Sequence, residues 1–199
     1  MSDEGEPGRI KRVPVYQGRV VDFSVDTVRF PDGSVGDLEF IAHAGASCVL
    51  PVVGRLDEVD PDILLLRQYR YAAGGFMWEV PAGMPDRHGE PWDECARREL
   101  EEETGWKAGT LEGLTRIHTT PGFSDEVIHL WVAADLEPGT VNLDDDEFVE
   151  VVRMPLSEAL DMVRDGTITD CKSVATLLFA ARFVIGPAAG SRRDGSVAS

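Results

Sequence analysis

The sequence predicts an α/β sandwich preceded by a β-hairpin, and three observations lead there. Short runs rich in Val, Ile and Phe recur at strand length from residue 18 to residue 154. A single helical pattern interrupts them near residue 91, and two more helical patterns close the chain.

Residues 18–30 and 37–43 alternate apolar with polar side chains on either side of Pro31, Asp32, Gly33 and Ser34, a turn sequence that makes the pair a hairpin. Residues 46–53 and 63–69 read as buried strands, and 77–80 as a short strand leading into Pro81, Ala82 and Gly83. Pro91 suits a helix start, Asp93 and Glu94 favour the first turn, and Gly105 can end the segment. A helix over 91–104 follows, with Trp92, Cys95, Ala96 and Leu100 as its apolar stripe. Strands at 110–118, 127–134 and 148–154 and helices at 156–165 and 173–185 complete the order. Residues 1–12 read as a flexible leader, 13–44 as a strand-rich region, 45–185 as the main domain and 186–199 as a disordered tail.

A chain of 199 residues suits one well-filled core with a small appendage. Its net charge of −17 argues against the phosphate-neutralising surface that nucleic acid requires, and acidic runs such as Asp144–Glu147 read as a solvated face. No apolar run approaches the roughly 20 residues of a membrane span, so a membrane partner is not expected. The N-terminus lacks the basic start and apolar stretch of an export signal, which predicts a cytoplasmic protein. Cys48, Cys95 and Cys171 are widely spaced in apolar surroundings and read as reduced core thiols.

The chemistry is concentrated in the central helix. Glu99, Glu102 and Glu103 lie i, i+3 and i+4 apart, on one face within one turn. Like charges so placed repel, which leaves two readings: a solvated acidic face, or a set of hard oxygen ligands for Mg²⁺ or Mn²⁺.

The residues around this helix resemble the Nudix box. Gly83, then Glu90, then Arg98-Glu99-Leu100-Glu101-Glu102-Glu103-Thr104-Gly105-Trp106 fill every fixed position of that family's pattern. The one departure is six residues between Gly83 and Glu90 where the family usually has five, a loop insertion that leaves the helix intact. The resemblance implies an α/β/α sandwich with a mixed sheet and the N-terminal hairpin as an extension. It also implies metal binding by Glu99 and Glu103, with Glu102 in support and the Ala82 carbonyl as a further ligand. Arg98 and Glu90 match the pair that braces the loop against the helix. The metal would neutralise a diphosphate and lower the pKa of an attacking water.

Two flanking stretches are similar to those of ADP-ribose pyrophosphatases: Arg67-Gln68-Tyr69-Arg70-Tyr71 followed by Trp78-Glu79-Val80-Pro81-Ala82-Gly83, and Thr120-Pro121-Gly122-Phe123-Ser124-Asp125-Glu126. This implies substrate contacts for Arg70, Arg67 and Glu79. Arg70 has a fork suited to a diphosphate oxygen, whereas Arg67 is equally readable as half of a surface salt bridge. Glu126 matches a loop carboxylate used as general base or extra ligand; by itself it reads as a surface acid at a turn. Glu99, Glu102 and Glu103 are the rival catalytic bases. Phe40 and Phe23 offer rings for stacking on adenine, or are core residues. His118 and His129 lack metal-ligand spacing, and Trp106 fills the last apolar position of the box.

The resemblance therefore implies Mg²⁺-dependent hydrolysis of ADP-ribose to AMP and ribose 5-phosphate, a step of nucleotide-sugar metabolism. Alternatives are another nucleoside diphosphate sugar such as GDP-mannose, a dinucleoside polyphosphate, or a ligand sensor without catalysis. A homodimer joined through the strands of residues 18–43 is also expected, because an exposed apolar edge invites a partner.

Overall fold

A computed structural model describes residues 6–143 and 148–186; the acidic run 144–147, residues 1–5 of the leader and most of the tail lie outside them. The chain divides into two compact units. One contains residues up to Gly45 together with His118–Val127, and the other contains Ala46–Ile117 and the residues from Ile128 onward. The segment His118–Val127, read from the sequence as part of the main domain, groups by its contacts with the N-terminal strands.

The first unit is a three-stranded antiparallel sheet: β1 (Gly8–Gln17), β2 (Val21–Arg29) and β3 (Val35–His43), in that order. The expected hairpin is β2 with β3. Its turn closes with Gly33 donating to the Phe30 carbonyl at 2.9 Å, and Gly33 adopts φ 84°, where a side chain would be strained. Strand β1 corrects the reading of residues 1–12 as a leader, since residues 8–12 are strand. Charged residues and Pro14 mask its alternation of Ile10, Val13 and Val15. Proline is tolerated because β1 is an edge strand.

The second unit is an α/β/α sandwich. Its mixed sheet has the order β12 (Val149–Pro155), β5 (Asp62–Arg70), β4 (Ala46–Val53), β10 (Val127–Ala134), β9 (Thr110–His118), with β6 (Gly75–Glu79) on β5 and β7 (Ala82–Gly83) on β4. Strands β4 and β10 run parallel, and β5 is antiparallel to both β4 and β12. A small pair, β8 (Trp106–Lys107) with β11 (Glu137–Pro138), lies apart from this sheet. Pleating sends alternate residues to opposite faces. Cys48, Leu50 and Val52 of β4 join Leu130 and Val132 of β10 under α2 (Leu156–Asp165) and α3 (Cys171–Phe183), while Val49 and Ala133 meet Ala96 and Leu100 of α1 (Trp92–Thr104). Strands buried on both faces explain why β4 reads as a continuous apolar run.

Two buried thiols bear out part of the cysteine reading. Burial pushes Cys48 up to about 12, and burial with the Glu99 charge pushes Cys95 up to about 11. Cys171 departs from it, being exposed at the first residue of α3. Among the described residues no helix is long and apolar enough to cross a membrane.

Candidate active site

Helix α1 positions the acidic cluster. It starts after Pro91 and ends at Gly105, whose N–H donates to the Glu101 carbonyl at 2.8 Å with φ 73°. Its N-terminus is fixed to the sheet by Ser47 Oγ, which donates to the Trp92 carbonyl at 2.7 Å, and by the Trp92 ring stacked on His129 at 4.3 Å. Burial, aided by the Arg116 charge, holds the His129 imidazole below its usual pKa. Cys95, Ala96, Glu99, Leu100 and Glu103 occupy the buried side of the helix, so two of the three carboxylates share a flank with the apolar stripe. Glu103 is 2% exposed and Glu99 9%.

These two acids lie against β7. Backbone N–H of Ala82 donates to Glu103 Oε2 at 2.9 Å. At Gly83 a Cβ would stand 2.0 Å from Glu99 Oε1, so any larger residue would have to displace this carboxylate from its place beside Arg98. The register Ser47 with Gly83 and Cys48 with Ala82 locks that approach to the sheet.

Arg98 supplies the compensating charge. Its Nη1 donates to Glu99 Oε1 at 2.8 Å and to Glu102 Oε2 at 2.9 Å, and its Nη2 donates to the Met84 carbonyl at 2.8 Å. Nε and Nη2 each reach Glu90 at 3.3 Å, and Asp86 lies 3.2 Å from Nε. The guanidinium thus ties the loop of residues 84–90 to the helix. Burial works against the Arg98 charge, yet Glu90, Glu99 and Glu102 hold its pKa above the ordinary arginine value. Burial likewise opposes ionisation of Glu90, but its hydrogen bonds from Arg98 and the Asp86 N–H keep its pKa below the usual carboxylate value.

Among the described residues no three His, Cys, Asp or Glu side chains already converge as a metal-holding group. The donor chemistry of Glu99, Glu102, Glu103 and the Ala82 carbonyl nonetheless fits a hard divalent cation.

A second polar cluster holds two of the expected substrate residues. Glu79 is 2% exposed and accepts from Arg70 Nε at 2.8 Å, from Arg70 Nη2 at 2.9 Å and from Lys172 Nζ. Lys172 also donates to Asp170 at 3.0 Å. Asp170 caps α3, accepting from Ser173 N–H at 3.0 Å and from Ser173 Oγ at 2.6 Å, while Ser173 Oγ accepts from the Val80 N–H at 2.8 Å. Burial raises the Glu79 pKa, but Arg70 and Lys172 outweigh it and hold the carboxyl below its usual value. Sequence reasoning missed Lys172 and Asp170. The signal present was Asp170 three residues before Ser173, a helix-cap pattern that would have moved the helix start from residue 173 to Cys171.

Arg67 lies on the opposite face of β5 from Arg70. It pairs with Glu150 at 3.8 Å across the sheet and covers the Phe76 ring at 5.0 Å, matching the surface-pair alternative. The structure therefore does not bring the two arginines together.

In the first unit, Phe40 carries the Arg12 guanidinium 4.5 Å from its ring centre, and Arg12 forks onto Asp26 at 2.7 and 2.6 Å. One face of the Phe40 ring is therefore occupied by a cation. Glu126 sits at the neck of the loop of residues 119–126. Its Oε2 accepts from Thr119 Oγ1 at 2.6 Å, its carbonyl accepts from the Thr119 N–H at 3.3 Å, and His43 Nδ1 lies 3.4 Å from its Oε1.

A family model described as NUDIX domain matches residues 45–172. The chain is 36% identical over 176 residues to the methanol dehydrogenase activator of Bacillus methanolicus, covering 87% of this chain and 92% of that protein. It is 34% identical over 176 residues to an ADP-ribose pyrophosphatase of Bacillus subtilis, with the same two coverages. A solved structure described as an ADP compounds hydrolase shares the fold, with a TM-score of 0.75 and 24% identity over 92% of this chain and 96% of that one.

Proposed function

The chain belongs to the Nudix family, and on that premise we propose that it hydrolyses ADP-ribose to AMP and ribose 5-phosphate in the cytoplasm with Mg²⁺, or Mn²⁺ in its place. The observation that carries the chemistry is the trio Glu99, Glu102 and Glu103 on one helix turn, with Gly83 held bare against Glu99. An acidic site on a chain of net charge −17 repels a diphosphate, and a divalent ion between the carboxylates and the anionic substrate would remove that repulsion. When bound by Glu99, Glu102, Glu103 and the Ala82 carbonyl, that ion neutralises the diphosphate and acidifies water.

The chain's own groups supply the rest. Arg98 keeps Glu99 and Glu102 oriented from the loop side. Arg70, anchored by Glu79, presents a permanent positive charge for a phosphate oxygen. Glu126 takes the proton of the attacking water, whose oxygen bonds to one phosphorus as the bridging P–O bond breaks and the bridging oxygen leaves with the other phosphate. Phe40 offers its second ring face to the base. The substrate assignment is supported by the relative from Bacillus subtilis and by the stretches around Arg67–Tyr71 and Thr120–Glu126.

The protein works as a homodimer in this reading. Ile10, Val13, Val15, Val35 and Leu38 are exposed on the N-terminal sheet, with Val13 and Val35 on one face and Leu38 on the other, apolar positions open to a second copy. Light scattering at micromolar concentration is expected to give twice 21.8 kDa.

The test of function is a panel of ADP-ribose, GDP-mannose and dinucleoside polyphosphates incubated with protein and Mg²⁺, with products identified by mass. ADP-ribose is expected to turn over with the highest kcat/KM. Uniform inactivity across the panel would remove the assignment.

A further inference from the structure

The loop that carries Glu126 is built into the N-terminal sheet. Ile41 N–H of β3 donates to the Phe123 carbonyl at 2.7 Å, and His43 N–H donates to Asp125 Oδ1 at 2.9 Å. Ile41 and Ser124 form an isolated parallel bridge. Within the loop, Phe123 and Ser124 N–H both donate to the Thr120 carbonyl, at 3.1 and 3.0 Å, and Ser124 Oγ accepts from the Glu126 N–H at 3.2 Å. Backbone of the loop is therefore fixed at both its neck and its tip.

A fixed backbone leaves the Glu126 carboxylate free to rotate about its side-chain bonds unless something holds it. Thr119 Oγ1 does so, donating to Oε2 at 2.6 Å. A hydrogen bond to one oxygen of a carboxylate selects which oxygen remains to accept a proton. Here Oε2 is engaged and Oε1 is the remaining one, with His43 Nδ1 3.4 Å away. The Gly45 N–H points at that same nitrogen from 3.0 Å, and in the neutral tautomer that accepts this bond the ring bounds the Oε1 side without donating to it.

We propose that Thr119 is the positioning residue of Glu126: its hydroxyl fixes the carboxylate and leaves Oε1 as the oxygen that accepts the proton. The inference rests on Glu126 acting as the base and adds to that reading the residue that makes it effective. Valine replaces threonine with nearly the same shape and no hydroxyl, whereas serine keeps the donor.

The experiment uses the full chain with ADP-ribose and Mg²⁺, measuring kcat and KM separately for Thr119→Val, Thr119→Ser, Glu126→Gln and the Thr119→Val/Glu126→Gln double variant. Losing one hydrogen bond to a charged group predicts a fall in kcat of roughly 10- to 100-fold for Thr119→Val, with KM within about threefold. Thr119→Ser is expected to stay within about threefold of the native kcat. The double variant is expected to be no slower than Glu126→Gln alone, because the hydroxyl acts only through that carboxylate. Thr119→Ala, which also removes the hydroxyl and carries the same expected fall in kcat, replaces the valine variant should the latter melt below the assay temperature. Glu126→Gln falling by orders of magnitude while Thr119→Val keeps its kcat overturns the positioning role and leaves the base intact. A further loss in the double variant overturns it as well, whereas a native kcat in Glu126→Gln removes the base and this inference together.

Discussion

Replacing Glu79 by glutamine separates a structural from a substrate-binding role for the cluster around it. The side chain keeps its size and loses its charge, while the Lys172 ammonium stays where it is. Side-chain exposure is 3% for Glu79 and 11% for Lys172, so the pair is removed from water, and taking away one partner of such a pair costs about 3–5 kcal/mol. Two features favour the lower end. Lys172 retains Asp170 at 3.0 Å, and Arg70, at 42% exposure, can recover water. A loss of about 3 kcal/mol in a chain of this size corresponds to a melting temperature lower by roughly 6–12 °C. Calorimetry at neutral pH measures it.

The effect also has a pH signature. Arg70 and Lys172 hold the folded-state pKa of Glu79 below its usual value despite burial, so its contribution is present above the unfolded carboxylate pKa of about 4.3 and is lost as pH falls through the lower folded value. The stability gap between native protein and Glu79→Gln should accordingly narrow at acidic pH. Burial opposes the Lys172 charge, but Glu79 and Asp170 raise its pKa, so its contribution is full below about 10.4 and fades as pH rises beyond. Glu79→Leu combined with Lys172→Met should recover part of the loss, because an apolar pair of similar volume carries no desolvation cost. A melting temperature within about 2 °C of native in Glu79→Gln, accompanied by a raised KM for ADP-ribose, would refute this account and make Glu79 a substrate contact.

Four further outcomes are expected. Gly83→Ala must push the Glu99 carboxylate out of its place, because an added Cβ would otherwise stand 2.0 Å from Oε1, so kcat should fall at least tenfold at saturating metal, measured by AMP release. Chelation of divalent metal should abolish activity and its return restore it, and Glu99→Gln or Glu103→Gln should lower kcat by orders of magnitude while circular dichroism stays native. Arg98→Lys keeps the charge but cannot bridge Glu90, Glu99 and Glu102 at once; it should lower the melting temperature as well as kcat, checked by calorimetry and steady-state kinetics. Native protein should take one iodoacetamide at Cys171 and denatured protein three, read by mass, since Cys48 and Cys95 are buried with raised pKa values.

Local signals made the central helix legible. Pro91, the acids after it and Gly105 set its ends to within a residue, and the i, i+3, i+4 spacing placed the three carboxylates on one turn. The same spacing put Glu99 and Glu103 beside Cys95, Ala96 and Leu100, yet acids are ordinarily assigned to solvent, so their burial went unread. Strands β7, β8 and β11 have two residues each and are too short to show any period. Glu79 and Lys172 are 93 positions apart, and a contact of that separation is decided by tertiary packing. The same holds for His43 and Asp125, 82 positions apart, which make the loop of residues 119–126 part of the N-terminal unit.

The two arginines of β5 show how a motif can obscure what its spacing states. Residues three apart on a strand point to opposite faces, so Arg67 and Arg70 cannot both meet one diphosphate from a regular strand. Grouping them within one recognisable stretch hid that parity. In the structure Arg70 faces Glu79 and Lys172, while Arg67 joins Phe76 and Glu150 on the other side. Register explains both, because Leu66 pairs with Glu79 and Arg67 with Trp78 across β5 and β6. Arg70 is thereby held by a buried carboxylate, whereas Arg67 depends on an exposed partner at 3.8 Å, an interaction that is worth at most about 1 kcal/mol. Any role of Arg67 toward substrate must come from a different face of the sheet than that of Arg70, which is why the proposed phosphate contact on this strand is Arg70 and not the pair.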